Sequence, residues 1–388
     1  MNPVPPPRDP QLASALYERV QRALAAFLAA PTTPVWEGRK IVIYGAGGFG
    51  RSVASALLKR KAAVLGFLDQ RGTGQIVLED LRSHPPRSTE AKHWLHEKPV
   101  VLIGTHNPKV AVRDIAGLLT EIGFTTVVTP MEIYWHLGEE LGWCFWLGTR
   151  ADYAQAATCL DKTRALWADA ESERLFLETL LYRLAFDLEM AATVSGAACQ
   201  YAHPTVPRWM NPLRLVDGGA YTGDTLQSLL HHGYSFASLY AFEPDLENFR
   251  KLRDCVASLL PQTQSSIWPC GVSSKTDRLK FSEGGGTSSK FSETGSAQVP
   301  VVALDDVLHG QAVNLIKLDI EGAELDALQG AKRLIEKDRP GLAVCLYHYP
   351  QHLWAIPLWV AELDLGYRFY FRMHEPCTFE TVLYALPK

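Results

Sequence analysis

The chain has 388 residues, of which 47% are hydrophobic and 21% charged, and its formal net charge is −4. A chain of this length folds as two or three domains with a large core, needing neither metal nor disulfide staples. The slight acidity argues against a nucleic-acid or anionic-membrane partner.

The first ten residues carry no basic stretch leading into an apolar core, so no secretory signal is expected. Gln11–Ala30 is rich in Ala and Leu but holds Glu18, Arg19 and Arg22, which excludes a membrane span. It reads as an amphipathic helix, an arm over residues 1–33, packing on a domain or on a second copy of the chain. A homo-oligomer stays open. The seven cysteines form no Cys-x-x-Cys pair, and an odd count at wide spacing is no disulfide framework. A reducing, cytoplasmic location is expected.

Residues 34–130 alternate strand and helix, the pattern of a parallel α/β domain. Strands are expected at Lys40–Tyr44, Ala63–Leu68, Pro99–Ile103 and Thr125–Val128, with helices near Arg51–Lys59 and Val110–Glu121. Gly45, Gly47, Gly48 and Gly50, with Phe49, form a Gly-x-Gly-x-x-Gly turn between the first strand and its helix. Asp69 closes the second strand about 20 residues on, in the manner of a dinucleotide-binding fingerprint. About one hundred residues is short for a complete two-half NAD fold. The segments Ile43–Gly50, Gly66–Asp69 and Ile103–Asn107 resemble the N-terminal domain of bacterial sugar O-acyltransferases, which implies a nucleotide-sugar site. A dinucleotide site and a ligand-free docking domain remain as alternatives.

Residues 131–206 lose the alternation. Leu, Ala, Glu and Arg recur at helical spacing between Asp161 and Ala197, giving a helical connector. Tyr134, Trp135, Trp143, Phe145 and Trp146 are expected to form core between the domains.

From residue 207 the alternation returns, with strands at Leu213–Asp217, Ser238–Phe242, Ser266–Cys270, Val313–Asp319, Leu342–Tyr347, Arg368–Arg372 and Thr381–Leu386. The last two have no helix between them and should pair antiparallel. Asp217 ends the first strand and leads into Gly218, Gly219, Ala220, Tyr221 and Gly223, with a helix starting at Asp224 and Thr225. Glycines let backbone approach a ligand, and the helix start offers free N–H groups to a carboxylate. Glu243-Pro244 closes the second strand about 25 residues on, where an acid can hold ribose hydroxyls. Asp319 and His348 end two further strands. Ligands bind beyond such carboxyl ends in open parallel sheets.

Val216–Ala220, Phe242–Pro244, Leu304–Asp306, Lys317–Glu324 and Tyr347-His348 together resemble the FkbM family of methyltransferases, over about Leu213–Pro387. Tyr221 departs from the family pattern, which more often has Asn there. The resemblance implies an α/β fold whose residues 207–388 form a Rossmann-like class I methyltransferase sheet with an antiparallel last strand. It implies S-adenosylmethionine as cofactor and a hydroxyl on a sugar, glycolipid or polyketide-type metabolite as acceptor.

Carried over by position, Asp217, Gly218, Gly219, Ala220, Tyr221, Gly223, Asp224 and Thr225 line the methionine part of the cofactor. Glu243 and Pro244 meet the ribose. Gly271, Val272 and Ser273, ending the third strand, flank the adenine. Asp319 and Glu321 face the reaction centre. His348 is expected to act as the base, because a histidine ordinarily titrates near neutrality, with Asp319 as the alternative and a purely structural histidine also open. Asp319, Glu321 and His374 could ligate a metal, but their order matches no metal motif, so none is expected. Glu283–Phe291, with three consecutive glycines, reads as a lid or a solvated hairpin tip. A nucleotide-sugar-binding or assembly protein with an idle methyltransferase scaffold is the competing function. An NAD-dependent oxidoreductase is disfavoured, since no Tyr-x-x-x-Lys set accompanies the first glycine turn.

Overall fold

The computed structural model describes residues 10–186, 196–282, 290–291 and 297–388. Helix α1 (Pro10–Ala29) buries Leu16, Val20, Leu24 and Phe27, the one-face spacing of an amphipathic helix.

The first sheet is built from β1 (Ile41–Tyr44), α2 (Gly48–Lys59), β2 (Val64–Leu68), β3 (Ile76–Leu78), β4 (Leu81–His84), α3 (Thr89–Leu95), β5 (Val100–Ile103), α4 (Val112–Ile122) and β6 (Val127–Val128). Its order is β3-β4-β2-β1-β5-β6. Strands β1 and β5 are buried along their whole length, as apolar strands covered on both faces must be. The short β3–β4 hairpin was not expected from the sequence. Its β3 strand is apolar throughout but only three residues long, too short a run to mark a strand from sequence.

Three helices join the sheets: α5 (Pro130–Leu141), α6 (Arg150–Arg164) and α7 (Ala170–Ala185). Thr149 and Asp152 form a reciprocal capping box on α6, and Asp169 caps α7. Helix α1 packs on α6 and α7 of the same chain. The buried Arg372 guanidinium reaches Asp169 at 2.7 Å and ties the start of α7 to the second large sheet. The connector was expected to run to about residue 206; residues 187–195 lie outside the described residues.

That sheet begins with β7 (Leu213–Gly218), α8 (Asp224–His231), β8 (Phe236–Phe242), α9 (Leu246–Leu259) and β9 (Gln264–Trp268). A small separate sheet follows, made of β10 (Gly271–Val272), β11 (Asp277–Ser282), β12 (Lys290–Phe291) and β13 (Ala297–Val302), in the order β10-β13-β11-β12. The chain returns through α10 (Leu304–Val307), β14 (Leu315–Leu318), α11 (Glu324–Gln329), α12 (Lys332–Asp338), β15 (Gly341–Cys345), α13 (His352–Glu362), β16 (Arg368–Met373) and β17 (Thr381–Leu386). The seven strands lie in the order β16-β17-β15-β14-β7-β8-β9. β17 runs antiparallel to both of its neighbours and the other neighbouring pairs are parallel, as the short β16–β17 connection required.

One expectation is corrected here. Gly271 and Val272 do not end the third strand of the large sheet; β9 stops at Trp268, and they form β10 alongside β13. Pro269 has no N–H to continue the ladder. The segment Glu283–Ser289 of the expected lid lies outside the described residues. Among the described residues no helix is long and apolar enough to cross a membrane.

Candidate active site

The carboxyl edge of β7, β8, β14 and β15 gathers most of the residues singled out by sequence. At the glycine turn, Gly219 has φ +74°, and a Cβ there would stand 1.9 Å from the Asp319 carbonyl oxygen. Only glycine lets the turn after β7 pass so close to the end of β14. A Cβ on Gly218 would meet Leu318 Cδ2 at 2.8 Å and Val272 Cγ2 at 3.2 Å, so Val272 packs against this turn even though it belongs to the smaller sheet. Gly223, at φ +91°, precedes α8, whose first residues are Asp224 and the buried Thr225.

Glu243, buried at the end of β8, accepts the Tyr221 N–H at 2.8 Å and the Asp245 N–H at 2.9 Å. It therefore couples the glycine turn to the end of the neighbouring strand. Burial outweighs these bonds and pushes its carboxyl up to about 7. Asp245, read from sequence as a helix cap, does cap α9, accepting from Glu247 and Asn248 at 2.9 Å. Ser273 is buried beside β13, its N–H donated to the Val302 carbonyl. Asp305, within the Leu304–Asp306 motif, accepts backbone N–H groups of Arg333 and Leu334 and so holds the start of α12.

Asp319 lies one residue beyond β14, and its carboxylate is held by two tyrosines. Tyr201 Oη donates to Oδ2 at 3.1 Å and Tyr347 Oη to Oδ1 at 3.3 Å. Behind it, His348 is fully buried. Its Nδ1 lies 2.8 Å from Glu324 Oε1, and its Nε2 lies 3.6 Å from both Asp319 Oδ1 and Glu321 Oε2. Glu324 is itself fully buried, accepts the Ile320 N–H at 2.8 Å, and has His352 Nδ1 at 3.2 Å from its second oxygen. Glu321, at φ +55°, turns its side chain back toward the cluster.

The charges do not match the sequence expectation for His348. Burial alone would lower its pKa, but Glu324, Glu321 and Asp319 together overcome that and raise it to about 10. The surrounding carboxylates thus favour the protonated imidazole, which speaks against a base titrating near its ordinary value. The same histidines hold Glu324 ionised, well below the usual carboxylate range, against the opposing effect of burial. Glu321, raised to about 7 chiefly by burial, is the carboxylate facing His348 that changes state near neutrality.

His374, weighed from the sequence as a possible ligand beside Asp319 and Glu321, takes other partners. Its two ring nitrogens lie 2.7 Å from Tyr384 Oη and 3.2 Å from the Gly196 carbonyl oxygen. It therefore serves the packing between β16 and β17. Tyr201, Glu324, His352 and Glu380 were missed as members of the cluster. Glu324 stood inside the Lys317–Glu324 motif, where its spacing from Asp319 was the available signal. Tyr201 and Glu380 come from the connector and the β16–β17 loop and belong to no motif.

The first sheet presents its own glycine turn. Gly45 donates its N–H to the Leu68 carbonyl at 2.7 Å, and the Ala46 N–H donates to Asp69 Oδ2 at 2.9 Å. A Cβ on Gly45 or Gly50 would collide with neighbouring atoms at 2.4 Å and 2.0 Å, whereas Gly47 and Gly48 face open space. Phe49 contacts His106, in the loop after β5, at a centroid distance of 6.0 Å. His106 in turn meets Phe145 at 6.2 Å and Phe379 at 5.1 Å, and Phe145 lies 6.3 Å from His348. Trp143 Nε1 donates to the His348 carbonyl at 2.7 Å. The aromatic connector residues thus form a layer between the carboxyl edges of the two sheets.

Residues 217–369 match the family model described as Methyltransferase FkbM domain, and residues 40–110 match the PglD N-terminal domain. Comparison with curated proteins gives no match. Among solved structures, the crystal structure of methyltransferase FkbM from Methylobacillus flagellatus KT aligns over 96% of this chain and 100% of that chain, with a TM-score of 0.77 at 20% sequence identity. That likeness establishes a common fold across both sheets and the connector. RSP, a Rex-family repressor, aligns over 32% of this chain and 62% of that chain at 17% identity, with a TM-score of 0.21 that carries no argument.

Proposed function

We propose, for a chain that carries an FkbM methyltransferase domain at residues 217–369 and a PglD N-terminal domain at residues 40–110, methyl transfer from S-adenosylmethionine to a hydroxyl oxygen of a sugar or sugar-bearing metabolite. One observation carries this reading. A glycine turn backed by the buried acid Glu243 stands on the same sheet edge as the Asp319–Glu321–His348 cluster, and Gly219 brings the two into backbone contact. The first half suits a nucleoside with a charged tail, and the second suits an acceptor that must lose a proton.

In this reading the turn from Asp217 to Asp224 and Thr225 receives the methionine part of the cofactor. Glu243, with Pro244 fixing the chain beyond it, accepts from the ribose hydroxyls, and the segment Gly271–Ser273 borders the adenine. Asp319, held by Tyr201 and Tyr347, positions the acceptor hydroxyl. The oxygen attacks the sulfonium methyl carbon; the carbon–sulfur bond breaks with its electron pair kept by sulfur, leaving a neutral thioether. The acceptor's proton passes to Glu321, whose pKa of about 7 suits a carboxylate working at neutral pH. Protonated His348 orients the two carboxylates around the acceptor. Alignment and exclusion of water supply most of the acceleration.

The apposed carboxyl edges favour a nucleotide sugar as the acceptor. Its nucleotide would rest at the open Gly47-Gly48 turn, and its sugar would reach through the aromatic layer toward Asp319. The test is calorimetric titration of the full chain with S-adenosylmethionine and with a nucleotide-sugar panel, followed by transfer of a labelled methyl group. Binding of both with label on the sugar supports the reading. Nucleotide-sugar binding with no affinity for S-adenosylmethionine would favour an idle methyltransferase scaffold.

A further inference from the structure

Arg183, on α7, is a fully buried cation that the methyl-transfer chemistry above does not use. No carboxylate pairs with it among the described residues, and burial brings its pKa down to about 10. Taking a guanidinium out of water without a counter-charge is costly. What it meets instead is a set of oxygens at one corner of the seven-stranded sheet. Nε donates to Thr378 Oγ1 at 3.2 Å, and Nη2 faces the Thr378 carbonyl at 3.3 Å, Thr381 Oγ1 at 3.4 Å and the Leu346 carbonyl at 3.5 Å. Each bond is long, so it is their convergence that counts. The Trp146 ring lies against the guanidinium, its centroid 5.4 Å from Cζ.

The oxygens of Thr378 belong to a strained turn. Cys377, Thr378 and Glu380 have φ of +57°, +61° and +47°. The left-handed region is uncommon for any residue but glycine, and for the β-branched Thr378 it is an outlier. Such conformations persist only where the surroundings over-determine them. Arg183 grips Thr378 by both its hydroxyl and its carbonyl. Phe379 anchors the turn beside it, 5.1 Å from the His106 ring and 5.2 Å from that of Phe145. What the turn presents is Glu380. Its Oε2 accepts from Gln200 Nε2 at 2.8 Å, and one of its oxygens lies within 4.8 Å of an Asp319 oxygen and of Cys345 Sγ.

We propose that Arg183 is a positioning residue, holding the turn at residues 377–380 in its left-handed conformation and so keeping the Glu380 carboxyl beside Asp319. The clamp stands on geometry alone, while its role rests on the methyl-transfer reading. In that reading Glu380 gives the acceptor site a second carboxyl next to the one that positions the hydroxyl. One ionised and one protonated carboxyl can accept from one hydroxyl and donate to another, which suits the adjacent hydroxyls of a sugar. Neither Arg183 nor Glu380 falls within residues 217–369, so the methyltransferase domain draws this part of its site from the connector and from the β16–β17 loop.

The experiment follows the Glu380 carboxyl by nuclear magnetic resonance of the full chain, labelled with carbon-13 at glutamate carboxyls. Its signal is identified by its loss in Glu380→Gln. Burial first and Asp319 second push this carboxyl up to about 7, against hydrogen bonds from Gln200 and Tyr347 and the charge of His348. Arg183→Met removes the cation and leaves an apolar side chain in its place. The turn is then released, and the signal should titrate well below 7, toward the ordinary glutamate value of 4.5. Loss of stability alone would not move it. A signal titrating at the same pH in Arg183→Met and the normal chain overturns the proposal. If Arg183→Met does not fold, Arg183→Lys decides, since a point charge cannot span these oxygens as the planar fork does. An unmoved signal there overturns the proposal too. S-adenosylmethionine binding to the normal chain is measured separately by calorimetry. A moved Glu380 signal without S-adenosylmethionine binding keeps the clamp and removes the methyl-transfer reading. An unmoved signal with S-adenosylmethionine bound does the reverse.

Discussion

Asp217 and Lys317 are register partners on the neighbouring strands β7 and β14, and their buried side chains meet at 3.0 Å. Lys317 Nζ also donates to the Gly219 carbonyl at 2.7 Å. One cation therefore holds the strand-end acid and the glycine turn together. Asp217, Asp319 and Asp224 keep the ammonium charged, raising its pKa despite burial. Removing one partner of such a pair leaves an uncompensated buried charge, costing about 3–5 kcal/mol. Asp217→Asn should show a loss of that order in denaturant unfolding. The double replacement Asp217→Leu with Lys317→Met should recover most of the stability without restoring cofactor affinity. If it restores both, the pair is structural only.

Gly47 and Gly50 should respond oppositely to alanine. A Cβ on Gly50 would stand 2.0 Å from the Gly45 carbonyl oxygen, whereas Gly47 has nothing within 4 Å. Gly50→Ala should destabilise the first sheet measurably by thermal unfolding. Gly47→Ala should fold normally and lose affinity only for a nucleotide ligand. A normal melting temperature for Gly50→Ala would mean that α2 can move off β1 at little cost.

His348 makes stability depend on pH. Its folded pKa of about 10 lies above the unfolded value of 6.5. Its contribution is therefore fully present below 6.5 and is lost as pH rises through 10. The normal chain should lose stability relative to His348→Gln across that interval. Parallel stability curves for the two from pH 6 to 10 would show that the imidazole is neutral in the folded protein.

How much of this could be read from sequence followed from how local each feature is. The strands of the seven-stranded sheet were mostly legible as apolar runs, with β9 (Gln264–Trp268) placed two residues late because its first half is polar, and the acids Asp217, Glu243 and Asp319 marked where three of those runs stop. The four-stranded sheet of residues 271–302 was not, because β10 and β12 are two residues each and Pro300 interrupts the apolar pattern of β13. The chemistry of His348 was missed for a different reason. Its position after β15 was evident, but its protonation depends on Glu324, Glu321 and Asp319, which lie 24 to 29 residues earlier in the chain. Tyr201 and Glu380 reach the cluster only through tertiary packing.

Cofactor binding should depend on pH through Glu243. Its carboxyl, at about 7, must be ionised to accept fully from ribose hydroxyls. Affinity for S-adenosylmethionine should therefore weaken as pH falls through 7, and Glu243→Gln should remove that dependence. A pH dependence that survives in Glu243→Gln would assign it to another group, Glu321 first.

The most direct measurement of the central claim is calorimetric titration of S-adenosylmethionine into the full chain and into folded Glu243→Ala. The account predicts one molecule bound per chain, with binding weakened by about 1.5–3 kcal/mol in the variant, the loss expected for hydrogen bonds to a charged group. Equal affinity in the two proteins, or no binding to the normal chain, would contradict it.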